Sequence, residues 1–187
     1  MPTCIKSLHR TTMAIIKASY QTRAKGTKGV MDSHRYYSYR EGPDRAQRQW
    51  YDRDGRALDF DTAREEMRER AKHYGYTYRI TLSTAEAELS PDDYRTVLGE
   101  QFPEYYLIEH ANTEHPHAHV VAFGKQTVKR DELASMRERL SEREQIREQE
   151  LVREQARAQE QEQARKQELA REQARRQELD RGWDYER

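Results

Sequence analysis

Four histidines fall within the ten residues from His110 to His119, and three of them, His115, His117 and His119, recur with a period of two. In an extended strand that period aims alternate side chains at one face. Imidazole is the commonest protein metal ligand, and a strand pair carrying His110 opposite His117 and His119 forms a cup of three nitrogens with open coordination positions. Four readings compete for the cluster. A structural zinc site normally closes with thiolates, and the only cysteine is the distant Cys4. A helix-borne metalloprotease site needs an HExxH motif, which is missing, and Pro116 does not suit a helix. A surface hairpin with chance histidines would gather four of the chain's seven histidines here by accident. The fourth reading is a catalytic metal centre acting on phosphate.

That chemistry requires a nucleophile aligned on phosphorus and positive charge on the non-bridging oxygens. A divalent ion on three neutral imidazoles supplies the charge and leaves positions for phosphate oxygens. Tyrosine suits the nucleophile, because a phenolate with an unperturbed pKa near ~10 also leaves readily, which makes the phosphotyrosine bond reversible. Among twelve tyrosines, Tyr36, Tyr37 and Tyr39 cluster in the segment HRYYSYREG. On a helix, Arg40 shares a face with Tyr36, where it would bind phosphate or favour phenolate. The competing role for Tyr36 or Tyr37 is core packing. His34 beside them reads either as a proton-transfer aid or as an ordinary exposed helix residue.

The elements that must position these groups can be read from periodicity. A first strand is expected over 13–20, closed by a turn-prone basic loop at 21–29 that holds Arg23, Lys25 and Lys28. A short helix follows at 30–40, an Asp-Gly turn near Gly55 closes a small hairpin, and a helix spans Thr62–Tyr74 with Asp61 as its cap. Tyr76 to Ser83 alternates as a half-buried strand. Ser90-Pro-Asp-Asp starts a helix expected to reach about Phe102, with Ser at the cap and an acid three residues on. Strands at 105–110 and 117–123 complete an α+β fold: an antiparallel sheet with helices packed on one face.

The expected division is an N-terminal tail at 1–12, a domain at 13–129 and a long charged helix at 130–187. In that last segment EQAR recurs at Glu154, Glu162 and Glu172, and Glu precedes Arg by three residues at 144/147, 150/153, 154/157, 162/165, 168/171 and 172/175 among others, each pair contributing about 0.2–0.5 kcal/mol to an isolated helix. Leu140, Ile146, Leu151, Leu169 and Leu179 hold no heptad, so a solvated helix is favoured over a weak coiled coil. Net charge is zero, yet residues 1–48 carry ten Lys or Arg against three acids. This asymmetry suits a phosphate-facing surface. Lys17, Arg23, Lys25 and Lys28 are its candidate phosphate positioners, the alternative being an ordinary basic loop. A single cysteine and no apolar run long enough for a signal segment or membrane span make a cytoplasmic protein the expectation.

The string LIEHANTEHPHAHVVAFG resembles the metal-binding motif of the HUH endonuclease superfamily, above all the relaxases of conjugative and mobilizable plasmids. RYYSYREG is similar to the relaxase segment that carries the nucleophilic tyrosine, and RITLST at 79–84 to the strand whose serine lies near bound DNA. The resemblance covers about Met13 to Gly124. It implies His110, His117 and His119 as ligands of a Mg2+ or Mn2+ ion, Tyr36 as nucleophile with Tyr37 as the close second, and Ser83 beside the DNA. The implied activity is nicking and rejoining of single-stranded DNA at a transfer or replication origin through a 5′-phosphotyrosyl intermediate, with accessory mobilization proteins as partners. The chain departs from the pattern in three respects. Asn112 stands where many relaxases have an acid, so any ligand-orienting role falls to Asn112, Glu109 or Glu114. His115 offers a fourth imidazole. No large helicase or primase domain accompanies the nuclease, as expected of a minimal or truncated member. Rolling-circle initiators and transposases share the chemistry, and a non-catalytic metal-binding DNA adaptor is the alternative from another class.

Overall fold

The fold is described from a computed structural model that covers residues 14–85, 87–110 and 115–183. Six strands, β1 (Ile15–Thr22), β2 (Trp50–Asp52), β3 (Ala57–Leu58), β4 (Tyr76–Ser83), β5 (Glu104–His110) and β6 (His117–Gly124), form one sheet in the order β1-β4-β6-β5-β2-β3. Every pairing is antiparallel. Helices α1 (Arg23–Tyr39), α2 (Phe60–His73), α3 (Pro91–Leu98) and α4 (Arg130–Trp183) complete the α+β fold.

The helices lie on both faces of the sheet, not on one as the sequence suggested. Val30 and Tyr37 of α1 and Ala63, Met67 and Ala71 of α2 pack with Tyr106, Ile108, Val121 and Phe123. Tyr94, Val97 and Leu98 of α3 and Met136 and Leu140 of α4 pack with Tyr105, Leu107, Val120 and Ala122 on the opposite face. The cause is written in β5 and β6: YYLI and VVAF are unbroken apolar runs, the pattern of strands buried on both sides. Only β4 alternates, with Tyr78, Ile80 and Leu82 buried towards α3 and the polar Arg79, Thr81 and Ser83 towards the other face.

The first helix starts earlier than its sequence suggests. Residues 21–29, expected as a loop, are the end of β1 and the first two turns of α1. Gly26 and Gly29 are not turn residues there but the face on which the helix meets the sheet. A Cβ on Gly26 would lie 3.1 Å from Thr77 Oγ1, and one on Gly29 would meet the Gln21 side chain at 1.8 Å. Gly26 therefore lets α1 lie close against β4, at a cost of about 1 kcal/mol in intrinsic helix propensity, whereas the space over Gly29 is filled by the movable end of the Gln21 side chain of β1.

Caps place the remaining helices. Asp59, not Asp61, caps α2 by accepting from Thr62 N at 2.8 Å, and Asp61 falls in the first turn. Ser90 and Asp93 form the expected capping box of α3, but Gly99, with φ of 54°, stops that helix at Leu98, short of Phe102. The chain divides into two compact units, Met1–Arg147 and Glu148–Arg187. The boundary lies beyond the expected residue 129, because the first turns of α4 are core: Met136 and Leu140 are fully buried, and Glu144 accepts from Ala85 N at 2.6 Å. From Glu148 to Arg176 every side chain is exposed. No helix among the described residues is long and apolar enough to cross a membrane.

Candidate metal centre

Register across the sheet assembles the histidines. His110 on β5 pairs with His117 on β6, which pairs with Ser83 on β4, which pairs with Ile15 on β1. Two residues along, Ile108, His119, Thr81 and Lys17 form the next row. Directly paired residues point to the same side of an antiparallel sheet. Both rows therefore face α1, and the basic and hydroxyl groups of Lys17, Ser83 and Thr81 share that side with the three imidazoles.

His110, His117 and His119 each offer one ring nitrogen within 4.8 Å of the others. The His110 and His119 rings are 4.8 Å apart between centroids, and His117 lies 5.4 and 4.9 Å from them. Three atoms with that spacing can sit about 2.8 Å from a common centre, so a shift of under ~1 Å each brings them to the ~2.0–2.1 Å of a zinc–imidazole bond. Hydrogen bonds select the nitrogens. Thr81 Oγ1 contacts His119 Nδ1 at 3.2 Å, and the carbonyl of His115 contacts His117 Nδ1 at 3.1 Å. His119 Nε2 and both ring nitrogens of His110 are buried without a hydrogen-bond partner. Buried polar atoms are normally satisfied, so orphaned nitrogens converging on one point fit a metal ion.

Burial also sets the protonation state that a metal needs. Desolvation, helped by the Arg48 and His117 charges, pushes His110 down to about 4 against the opposing pull of Asp44. Desolvation and the neighbouring His110 and His117 push His119 down to about 3. Both imidazoles are thus neutral ligands at physiological pH.

Tyr37 lies directly on this cluster. Its ring stacks on His119 with 4.0 Å between centroids and 9° between planes, and meets His110 edge-on at 6.4 Å. Burial raises its hydroxyl pKa, with Arg79 on β4 opposing that rise. Tyr36 lies one ring further out, 5.8 Å from Tyr37, and is 53% exposed. The guanidinium of Arg40 sits 5.6 Å from the centre of the Tyr36 ring. The helix end that carries these tyrosines is held by a group that sequence reading missed. Arg48, whose side chain is 0% exposed, grips Asp44 with Nη2 at 2.8 Å and Nε at 3.1 Å. It also donates to the carbonyls of Arg40 at 2.5 Å and Tyr37 at 3.4 Å, satisfying two of the groups that a helix leaves open at its C-terminus. Burial works to raise the Asp44 carboxyl, but Arg48 outweighs it and holds the group below its ordinary pKa.

Several sequence candidates fall elsewhere. His115 is exposed and turns its Nδ1 to the carbonyl of Ala85 at 2.8 Å, so it does not join the cluster. Glu109 points to the opposite face of the sheet, where burial, then Glu88 and Asp93, raise it to about 7. From that side it cannot orient a ligand histidine. Asn112 and Glu114 lie outside the described residues. His34 is not exposed: it is buried, stacked on Trp50 at 5.5 Å, with Ser38 Oγ 3.4 Å from its Nε2. Arg23, Lys25 and Lys28 lie exposed along the first turns of α1, Lys28 paired to Asp32 at 3.2 Å. Thr81 was foreseeable, since it lies two residues before Ser83 on an alternating strand. Arg48 and Asp44 carry no comparable signal.

No protein-family model, curated protein or solved structure matches this chain. What the described residues establish is a three-histidine cluster able to hold a metal ion, on an antiparallel sheet, under a tyrosine-bearing helix.

Proposed function

We propose that this protein is a metal-dependent nuclease of relaxase type that nicks and rejoins single-stranded DNA. The observation that carries this reading is the stacking of Tyr37 on His119, at 4.0 Å, within a cluster of three imidazoles. A divalent ion such as Mg2+ or Mn2+ on His110, His117 and His119 would supply positive charge to the non-bridging oxygens of one phosphodiester. Proximity makes Tyr37, rather than Tyr36, the nucleophile in this proposal. Its oxygen gives up a proton and bonds to phosphorus, the bond from phosphorus to the 3′ oxygen breaks, and that oxygen takes a proton to become a 3′ hydroxyl. The 5′-phosphotyrosyl bond retains the energy for rejoining, so no nucleotide cofactor is consumed.

The burial of Tyr37 makes its hydroxyl resist ionisation, and Arg79 opposes that resistance. Arg40, which lies close enough to depress both His110 and His119, adds a cation on the side that an incoming phosphate would approach. Lys17 and Ser83 on the same sheet face would hold the strand through its backbone, which gives affinity without sequence information. The DNA would be a transfer or replication origin held as a single strand.

The test is incubation with labelled single-stranded DNA and Mn2+, resolved on denaturing gels. A metal-dependent adduct on a 5′ phosphate, lost in Tyr37→Phe and in His119→Ala, is the expected result. An adduct lost in Tyr36→Phe but kept in Tyr37→Phe moves the nucleophile to Tyr36. Adducts that survive replacement of Tyr36, Tyr37 and Tyr39 together refute the tyrosine mechanism. Metal-dependent DNA binding with no adduct favours a non-catalytic adaptor, a reading supported by the burial of Tyr37.

A further inference from the structure

We propose that Tyr36, with Arg40 against its ring, is a stacking platform for an unpaired nucleobase of single-stranded DNA beside the metal centre. This rests on the reading of the protein as a single-strand nuclease, and it gives Tyr36 a role separate from nucleophilic attack. A lone exposed aromatic side chain is ordinary and needs no explanation. Tyr36 is not alone. Tyr39, also 45% exposed, lies one turn along the same outer face of α1, packed edge-on against Phe60 at 5.4 Å.

Placement and charge argue for a base. The Tyr36 ring is fixed edge-on by Tyr37 at 5.8 Å, and Tyr37 is itself stacked on His119. A base on Tyr36 would therefore stand one ring away from the group that meets the scissile phosphate. The outward residues of α1 and its end carry Lys25, Lys28, Arg35 and Arg40 against Asp32 and Glu41, a cationic surround suited to a phosphodiester backbone. Arg40 both orients the Tyr36 ring through a cation–π contact and presents donors to the phosphate of the stacked nucleotide. Such a platform accepts only bases released from a duplex, because a paired base has both faces covered by its neighbours.

Binding can be measured apart from cleavage. The full chain in EDTA is titrated against a fluorescent thymidine strand of about 20 nucleotides and against an abasic strand of equal length, which keeps the phosphates and lacks the bases. Tyr36→Ala should weaken binding to the thymidine strand roughly 5- to 100-fold and leave the abasic strand unaffected. Tyr36→Phe, which keeps the ring, should leave both affinities nearly unchanged, and Arg40→Gln should weaken both strands. Equal losses on the two strands for Tyr36→Ala, or no loss on either, overturn the proposal. Base-dependent binding without any adduct refutes the nuclease and leaves the platform standing. An adduct without base-dependent loss does the reverse.

Discussion

Replacing Arg48 by methionine tests whether the buried pair with Asp44 holds the tyrosine helix in place. The substitution keeps most of the volume and removes the charge. It deletes two hydrogen bonds to Asp44 and two to the end carbonyls of α1. What remains is a carboxylate whose side chain is only 9% exposed and a helix end with its acceptors unsatisfied. Breaking a buried pair from one side costs about 3–5 kcal/mol, because the surviving charge stays desolvated. For a domain of this size that corresponds to a fall of roughly 6–20 °C in Tm. Urea unfolding at neutral pH measures the loss, and the double variant Asp44→Leu/Arg48→Met should recover much of it, since the desolvated carboxylate is then removed as well. Tyr37 should also lose its seat on His119, so adduct formation should fall in the double variant even where stability returns. A loss below about 1 kcal/mol in Arg48→Met, or a double variant no better than the single, would show that the pair is not what secures the helix end.

Two further outcomes follow from the cluster. Thr81→Val removes the hydroxyl that contacts His119 Nδ1 at 3.2 Å while keeping the side-chain shape; it should weaken Mn2+ binding about 10- to 100-fold in a calorimetric titration with little change in stability. In the metal-free protein, stability should fall as pH drops from about 6.5 towards 4, because His110 and His119 titrate near ~6.5 when unfolded but near 4 and 3 when folded. Glu109 acts in the other direction, since its folded pKa of about 7 lies above the unfolded value. Two imidazoles outweigh one carboxyl, and Glu109→Gln should make the acid loss steeper in urea midpoints taken between pH 7 and 5. A midpoint that rises on acidification would contradict the burial of the imidazoles.

The parts of the fold legible in the sequence are those with local causes. The capping box at Ser90 and Asp93, the Asp-Gly turn at Gly55 and the alternation of β4 depend on neighbours in the chain, and each stands where its residues suggest. The gathering of His110, His117 and His119 was legible for the same reason, because a period of two and one facing strand are enough to bring them together. What escaped depends on contacts distant in sequence. Gly26 and Gly29 look like turn residues until β1 and β4 are seen to press against them. The second helical layer was missed although β6 announced it, since an apolar run without alternation means that both faces need covering. His115 shares the period of His117 and His119, yet it precedes the first paired residue of β6, so the period does not govern it. Arg48 could not be found at all, as nothing in its local sequence marks an arginine that will be fully buried.

Because His110 stands directly across from His117, a bound cation would read the alignment of two strands as well as their presence. Sliding β5 past β6 by a single residue would turn one partner's imidazoles towards α3 and dismantle the cup. Metal uptake should therefore reward only the correctly aligned hairpin and act as a proofreader of assembly. The same geometry sets unequal evolutionary tolerances. One residue inserted between His117 and His119 would turn one imidazole to the other face and abolish coordination, whereas an insertion ahead of β5 or after β6 would leave the pairing of His110 with His117 in step.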